Sequence, residues 1–417
     1  MAHVAIWSIC VLSIALMLFR PFGVPEVVWT AAGALLLCVS GLLPLKLAGH
    51  AVAEGMDVYL FLAGMMLLSE LARSNGVFDW LAHVAVKRAR GSSGRLFTLI
   101  YGVGTVVTVF MSNDATAVVL TPAVLSAVKH ARAKPMPYLL TCALIANAAS
   151  FVLPISNPAN LVVFHASMPP LMEWLAMFTL PSVISIVATY FLLRWFSRKE
   201  LAVPCDGSDV EVELSLLGKV SLLGILFAAA VLLIASSLKL DLGLPTCIAA
   251  VFVACIVLVL GRSSPGPLVR DISWSVLPLV AALFVIVEAV KSAGASQALQ
   301  AAAEHAMRWP RGESAFALAG TVGFGTNLVN NLPLGLIAGS TLHTMSLRPL
   351  LSEVVLIGID LGPNLSITGS LATILWLIAI RREGMHVSGW QFFKAGMLIM
   401  PISLVMAIGG VLLFGGR

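Results

Sequence analysis

Charge is what this chain has least of. Only 11% of its 417 residues are Asp, Glu, Lys or Arg, against about 25% in an ordinary soluble domain. With 59% hydrophobic residues and a mean hydropathy of +1.00, it has too little polar surface to cover itself in water. That excludes a soluble globular protein. Metal-type cysteine spacing is missing too. The six cysteines, Cys10, Cys38, Cys142, Cys205, Cys247 and Cys255, form no CxxC pair, so buried thiols are expected rather than a zinc site or a disulfide framework. No basic residue precedes the first apolar run, which ends before Arg20. A secretory leader has the opposite order, so this run reads as an uncleaved first span. The net charge of +5 comes from Lys and Arg scattered among short loops, which excludes a nucleic-acid face.

What the chain has is apolar runs, interrupted at particular places. About 20 apolar residues cross a bilayer as a helix. The first half offers spans near Val4–Phe19, Val27–Leu45 and Val58–Leu71, then an amphipathic stretch, Val77–Val86. Two short runs separated by "SND" predict a hairpin over 95–130, and Tyr138–Ser167, split by "PISNPAN", predicts a broken helix over 136–168. Leu171–Trp195 closes the half. The second half repeats this order, with an amphipathic Ala295–Met307, a hairpin over 314–346 split by "NNLP" and a broken helix over 350–381 split by "DLGPNLSITGS". Residues 1–200 and 215–417 thus read as two copies joined by a polar linker, 201–214. Register supports the duplication: an offset of 218 places Glu70 on Glu288, Arg73 on Lys291, Gly76 on Gly294 and Asn113 on Asn331.

Five spans and one re-entrant hairpin per copy make an odd number, so the copies are expected to be inverted. With the linker in the cytoplasm and both termini outside, Lys and Arg divide 18 inside to 7 outside, as the positive-inside rule asks. The expected fold is all-α, about ten transmembrane helices in two inverted repeats, the layout of secondary transporters with a site at mid-membrane.

The polar breaks are where function is sought, because irregular backbone at membrane depth is tolerated only against protein or a wet cavity. Asp114 sits at the first hairpin tip and Asp360 in the second broken helix. A charged Asp at a helix centre in lipid costs about 2.5–3.5 kcal/mol, so two such residues suit proton carriers, although Asp114 is also a good helix N-cap. Aligned between the broken helices, the counterpart of Asp360 lies near Asn147. Candidate substrate liners are Ser112, Asn113, Asn147, Ser156, Asn157, Asn330, Asn331, Asn364, Ser366, Thr368 and Ser370, each as able to satisfy freed backbone as to touch a ligand. Glu70 and Glu288 are expected to pair with Arg73 and Lys291. His165 and His343 are lone histidines with no metal-ligand pattern, and Cys142 reads as a core residue.

"MSNDATAVVLTP", "VNNLP" and "DLGPNLSITGSLATILWL" closely resemble the signature segments of the ArsB arsenite efflux permeases, and the likeness runs from about Leu60 to Pro401. Asn364 stands where that family commonly has Lys, and Ser366 where it has Thr. The resemblance implies an antiporter that exports arsenite, usually with antimonite, across the bacterial inner membrane in exchange for protons, with Asp114 and Asp360 in the coupling positions. It implies no enzymatic activity and no cofactor beyond protons. It also implies a capacity to associate with an arsenite-stimulated ATPase subunit, and leaves homo-oligomerisation open. A sodium- or proton-coupled organic-anion or dicarboxylate carrier is the alternative on this fold. Lys and Arg are absent from the breaks, which favours a neutral solute. An intramembrane aspartyl protease is a remote third reading.

Overall fold

The computed structural model describes the chain except residues 1, 165–167, 208–212, 295–296, 298–299, 302–303, 306–307, 345–348 and 415–417. Among the described residues it is helical throughout, with no strand. The first copy comprises α1 (Ala2–Phe19), α2 (Glu26–Val39), α3 (Leu45–Glu54), α4 (Met56–Ser74), α5 (Val77–Ala89), α6 (Ser93–Phe110), α7 (Asn113–Ala115), a π-helical turn (Thr116–Leu120), α8 (Thr121–His130), α9 (Met136–Ala148), α10 (Pro158–Val163), α11 (Leu171–Phe196) and α12 (Arg198–Leu201). The second comprises α13 (Leu216–Ser237), α14 (Gly243–Gly261), α15 (Pro265–Asp271), α16 (Val276–Ser292), α17 (Arg311–Val329), α18 (Asn331–Thr344), α19 (Pro349–Leu361), α20 (Leu371–Arg382) and α21 (Gly389–Phe414). The second amphipathic segment lies largely outside the described residues.

By length and composition, seven helices among the described residues suffice to cross a membrane, or eight if α3 and α4, bent by 47°, make one span. The arithmetic passes over α2, which has 14 residues, and the broken helices, which fall into halves. Side chains on the periphery face outward as a lipid-facing surface does: Val4, Leu35, Leu223 and Val259 are all more than half exposed. In water such a belt would be a liability.

Helix boundaries recur at the offset seen in the sequence. Residues 93, 113 and 171, which open α6, α7 and α11, have counterparts 218 residues on at the starts of α17, α18 and α21. The broken helices follow a shorter offset of 213, from Met136 to Pro349 and from Pro158 to Leu371. Asn147 therefore corresponds to Asp360 and Asn157 to Ser370.

Direction follows from the contacts. α4 begins beside α14, where the Gly243 amide donates to Asp57 Oδ1 at 2.6 Å. It ends beside the start of α16, where Arg73 Nη2 reaches Asp271 Oδ2 at 3.3 Å. α4 and its counterpart α16 thus run in opposite directions. The Glu70–Arg73 pair (2.8 Å at Nε) and the Glu288–Lys291 pair (2.8 Å) form as expected, one near the end of each of these helices. Helices α1–α4 pack with α13–α16, while the hairpins, broken helices, α11 and α21 form a second group. Close packing there uses glycine. A Cβ on Gly358 would come 2.8 Å from the Ala319 carbonyl oxygen, and one on Gly362 would collide with that of Gly323, so α17 and α19 meet backbone to backbone. The described part of the linker is fastened to the base of the first hairpin: Cys205 N donates to Gly91 O at 3.1 Å and Asp206 N to Ala131 O at 2.7 Å.

Candidate functional site

The two hairpin tips and the two broken helices meet around one narrow cavity. Its polar liners are Asn113 and Asp114 from the first tip, Asn157 from the start of α10 and Asn331 from the second tip. Pro158, Leu371 and Ala372 complete the rim of half-helices, and Leu62 of α4 and Val276 and Val280 of α16 form an apolar wall. Among the described residues no Lys or Arg lines it. Several helices present their N-termini to this space, so the positive ends of their dipoles face any negative charge there.

The tips are built alike. Ser112 caps the first, its Oγ accepting from Ala115 N at 3.2 Å. Asn330, 218 residues on and in left-handed backbone (φ 74°), caps the second, its Oδ1 accepting from Leu332 N at 3.4 Å while its Nδ2 donates to Thr368 O at 3.1 Å. The next residue in each tip, Asn113 or Asn331, is 2% exposed, and in both the Oδ1 is buried without a hydrogen-bond partner. Leaving a buried acceptor unpaired costs about 1–3 kcal/mol. Two such oxygens at equivalent positions on one cavity are what a hydrogen-bond-donating ligand would satisfy. Asp114 is partly exposed and opens on the same cavity. The turn that follows it is π-helical, a local widening common at functional sites, and the hydroxyls of Thr108 and Thr116 meet across it at 2.8 Å.

Behind the cavity the broken helices exchange partners across the two copies. Asp360 is fully buried, accepts from Asn157 Nδ2 at 2.8 Å and has an unpartnered Oδ2. In the equivalent place Asn147 Oδ1 accepts from Ser370 Oγ at 3.3 Å. Residue 147 thus meets residue 370, and their counterparts 360 and 157 meet in turn, as a two-fold relation between copies requires. Asn147 Nδ2 also donates to Asn364 Oδ1 at 2.9 Å, and Asn364 Nδ2 to Leu144 O at 3.0 Å. Asn157 and Ser370 each cap the half-helix they begin.

The structure therefore sorts the sequence candidates. Asn113, Asp114, Asn157 and Asn331 line the cavity. Asp360 stands one hydrogen bond behind Asn157, and Asn147, Asn364 and Ser370 stand further back. Ser156 donates to Val109 O at 2.9 Å, tying the first broken helix to its hairpin. Ser366 and Thr368 donate to the side chain and backbone carbonyl of Asn327 at 2.6 and 3.1 Å. Asn327, a residue that sequence reasoning missed, is the hub of the second half, also donating to Gly362 O at 3.0 Å. Its signal was its place in the last turn of α17, one turn before Asn330. Cys142 is buried in α9 and away from the cavity. His165 lies outside the described residues, as does the side chain of His343. Among the described residues no His, Cys, Asp and Glu cluster is arranged to hold a metal.

Comparison with known proteins places this architecture. The chain is 24% identical over 415 residues to the arsenical pump membrane protein of Escherichia coli, covering 95% of this chain and 96% of that one. It is 24% identical over 423 residues to a putative arsenical pump membrane protein of Bacillus subtilis, covering 94% and 95%. The crystal structure of the Alcanivorax borkumensis YdaH transporter, described as having an unusual topology, superposes with a TM-score of 0.60 over 100% of this chain and 99% of that one, at 16% identity. The fold is thus that of a membrane transporter, and the likeness to arsenical pumps runs nearly end to end. The CitMHS model, described as citrate transporter, matches residues 12–357, and the chain belongs to that family of multi-pass membrane transporters.

Proposed function

We propose that this chain exports arsenite, and with it antimonite, from the cytoplasm across the bacterial inner membrane in exchange for protons. The observation that carries this reading is the lining of the hairpin-tip cavity: three amides, one carboxylate and, among the described residues, no cation. Arsenous acid is a small, neutral, triol-like solute at physiological pH. Amides donate and accept hydrogen bonds, and the unpartnered oxygens of Asn113 and Asn331 match its hydroxyls. Citrate, for which the family is named, carries three carboxylates and calls for basic side chains. The similarity to arsenical pump membrane proteins supports the same substrate.

Asp114 in the cavity and Asp360 behind Asn157 are the proton carriers in this reading. Changing the charge of a carboxyl buried as Asp360 is alters the free energy of the surrounding arrangement by several kcal/mol, which links proton occupancy to conformation. The opposed directions of α4 and α16 support inverted repeats. Helices α1–α4 and α13–α16 serve as the scaffold, and the hairpin and broken-helix group moves as an elevator around the site. The linker and the 18 basic residues counted above face the cytoplasm, and both termini face out.

Everted vesicles test the substrate and the coupling ion together. An acid lumen should drive arsenite accumulation that a protonophore abolishes and sodium does not affect. Citrate uptake that tracks sodium would instead establish an organic-anion carrier. A finer test uses Asn113→Leu and Asn331→Leu. Neither removes a partnered amide oxygen, so thermal stability should change by less than about 1 kcal/mol. The arsenite concentration for half-maximal flux should rise about tenfold for each lost hydrogen bond. A loss of stability with unchanged half-saturation would mark these amides as structural.

A further inference from the structure

The turn between α1 and α2 has features that the hairpin-tip cavity does not use. Arg20 (φ 48°) and Phe22 (φ 61°) both lie in left-handed backbone, which costs roughly 1–2 kcal/mol for each non-glycine residue. Strain of this kind persists where neighbouring contacts hold it. The contact here is an ion pair, Arg20 Nη2 to Glu26 Oε2 at 2.6 Å. Glu26 opens α2, is 8% exposed, and its second oxygen, Oε1, is buried with no partner.

Glu26 lines a second, small cavity. Met17, Leu279, Leu283 and Ile374 make most of its wall. Leu332 and Leu371 line both this cavity and the hairpin-tip one, so the two spaces are neighbours across a single layer of side chains. Asn330 also borders the second cavity, but both ends of its amide are engaged, with Leu332 N and Thr368 O. Among the described residues, Glu26 Oε1 is the side-chain oxygen on this cavity that lacks a partner. An ion pair kept for structure alone has no need of a buried, unpaired acceptor on a residue that lines a cavity.

We infer that this second cavity is a transient subsite for the transported solute, a small neutral molecule bearing hydroxyl donors, with Glu26 Oε1 accepting a hydrogen bond from one hydroxyl. Arg20 holds the carboxylate in place. The subsite lies at the α1–α2 turn, the face assigned above to the cytoplasm, so solute occupies it on its way to the hairpin tips. This rests on the reading that the cargo is neutral and hydroxylated.

Glu26→Gln tests it. The glutamine oxygen can keep Arg20, but its NH₂ then faces the cavity, presenting a donor where the solute needs an acceptor. In everted vesicles, which load from the cytoplasmic face, the arsenite concentration for half-maximal initial rate should rise about tenfold. In right-side-out vesicles, loading by counterflow from the outer face should keep its wild-type half-saturation. Glu26→Asp should recover part of the loss, and Leu283→Phe, which fills the cavity, should lower the maximal rate at equal protein in the membrane. An unchanged cytoplasmic half-saturation in Glu26→Gln, or an equal shift at both faces, overturns the subsite. Wild-type vesicles that carry no arsenite overturn both this inference and the function it rests on. Wild-type flux with an indifferent Glu26→Gln overturns the subsite alone.

Discussion

Replacing Asp360 with asparagine is expected to disconnect arsenite movement from the proton gradient while leaving the carrier folded. One unit of pH across the membrane is worth about 1.36 kcal/mol per proton, or about tenfold in accumulation. Wild-type everted vesicles with a lumen one unit more acid should therefore concentrate arsenite about tenfold per exchanged proton. Asp360→Asn vesicles should only equilibrate, with arsenite-for-arsenite exchange retained. Folding should survive for two reasons visible at the site. Asn157 Nδ2, which donates to Asp360 Oδ1 at 2.8 Å, finds an amide oxygen in the same place. The equivalent position of the first copy is already an asparagine, Asn147, buried among amides and hydroxyls. Asp114→Asn should lose accumulation in the same way and also raise the half-saturation, because Asp114 lines the cavity. Gradient-driven accumulation that persists in both variants would remove the coupling role from these carboxyls.

The second large effect is expected far from any charge. Gly362 of the second broken helix lies so close to α17 that an added Cβ would collide with the Gly323 carbonyl oxygen and meet Thr326 Oγ1 at 2.5 Å. Gly362→Ala therefore forces two backbones apart, and neither obstacle is the free end of a flexible side chain. The expected cost is about 3 kcal/mol, the upper part of the range for overpacked cores, read as a fall in the thermal midpoint of the purified protein. Transport should fall with it, because Asn327, which donates to Gly362 O, also holds Ser366 and Thr368. Gly320→Ala is the control: nothing lies within 4 Å of a Cβ there, so stability and flux should stay at wild-type level. Equal stability in the two variants would show that α17 and α19 are not held at backbone contact.

Much of the fold was legible in the order of residues. The offset that joins Glu70 to Glu288 and Asn113 to Asn331 also joins the first residues of α6 and α17 and of α11 and α21. The counterpart of Asp360 could be placed near Asn147 before any coordinates, because the broken helices keep their internal spacing. The site was legible only as a pool of polar residues. Ser366 and Thr368 read as liners as readily as Asn113 does, yet they bond to Asn327, whereas Asn113 lines the cavity. Asn157 and Asp360 are 203 residues apart, and nothing local to either names the other. Nothing in the sequence marks Glu26, which stands on a cavity that α16 and α20 help to enclose.

The sequence by itself determined the solvent and the order of elements: a chain with 11% charged residues must live in lipid, and its runs and breaks mark where helices start and stop. These follow because transfer free energy and helix continuity are local and nearly additive along the chain. Only the tertiary structure decided which interruptions meet, which amide oxygens are left without a donor and which carboxyl stands behind another residue's amide. Hydrogen bonding is a matter of partners within about 3 Å, and partners contributed by opposite copies of a repeat are chosen by how the helices close on one another.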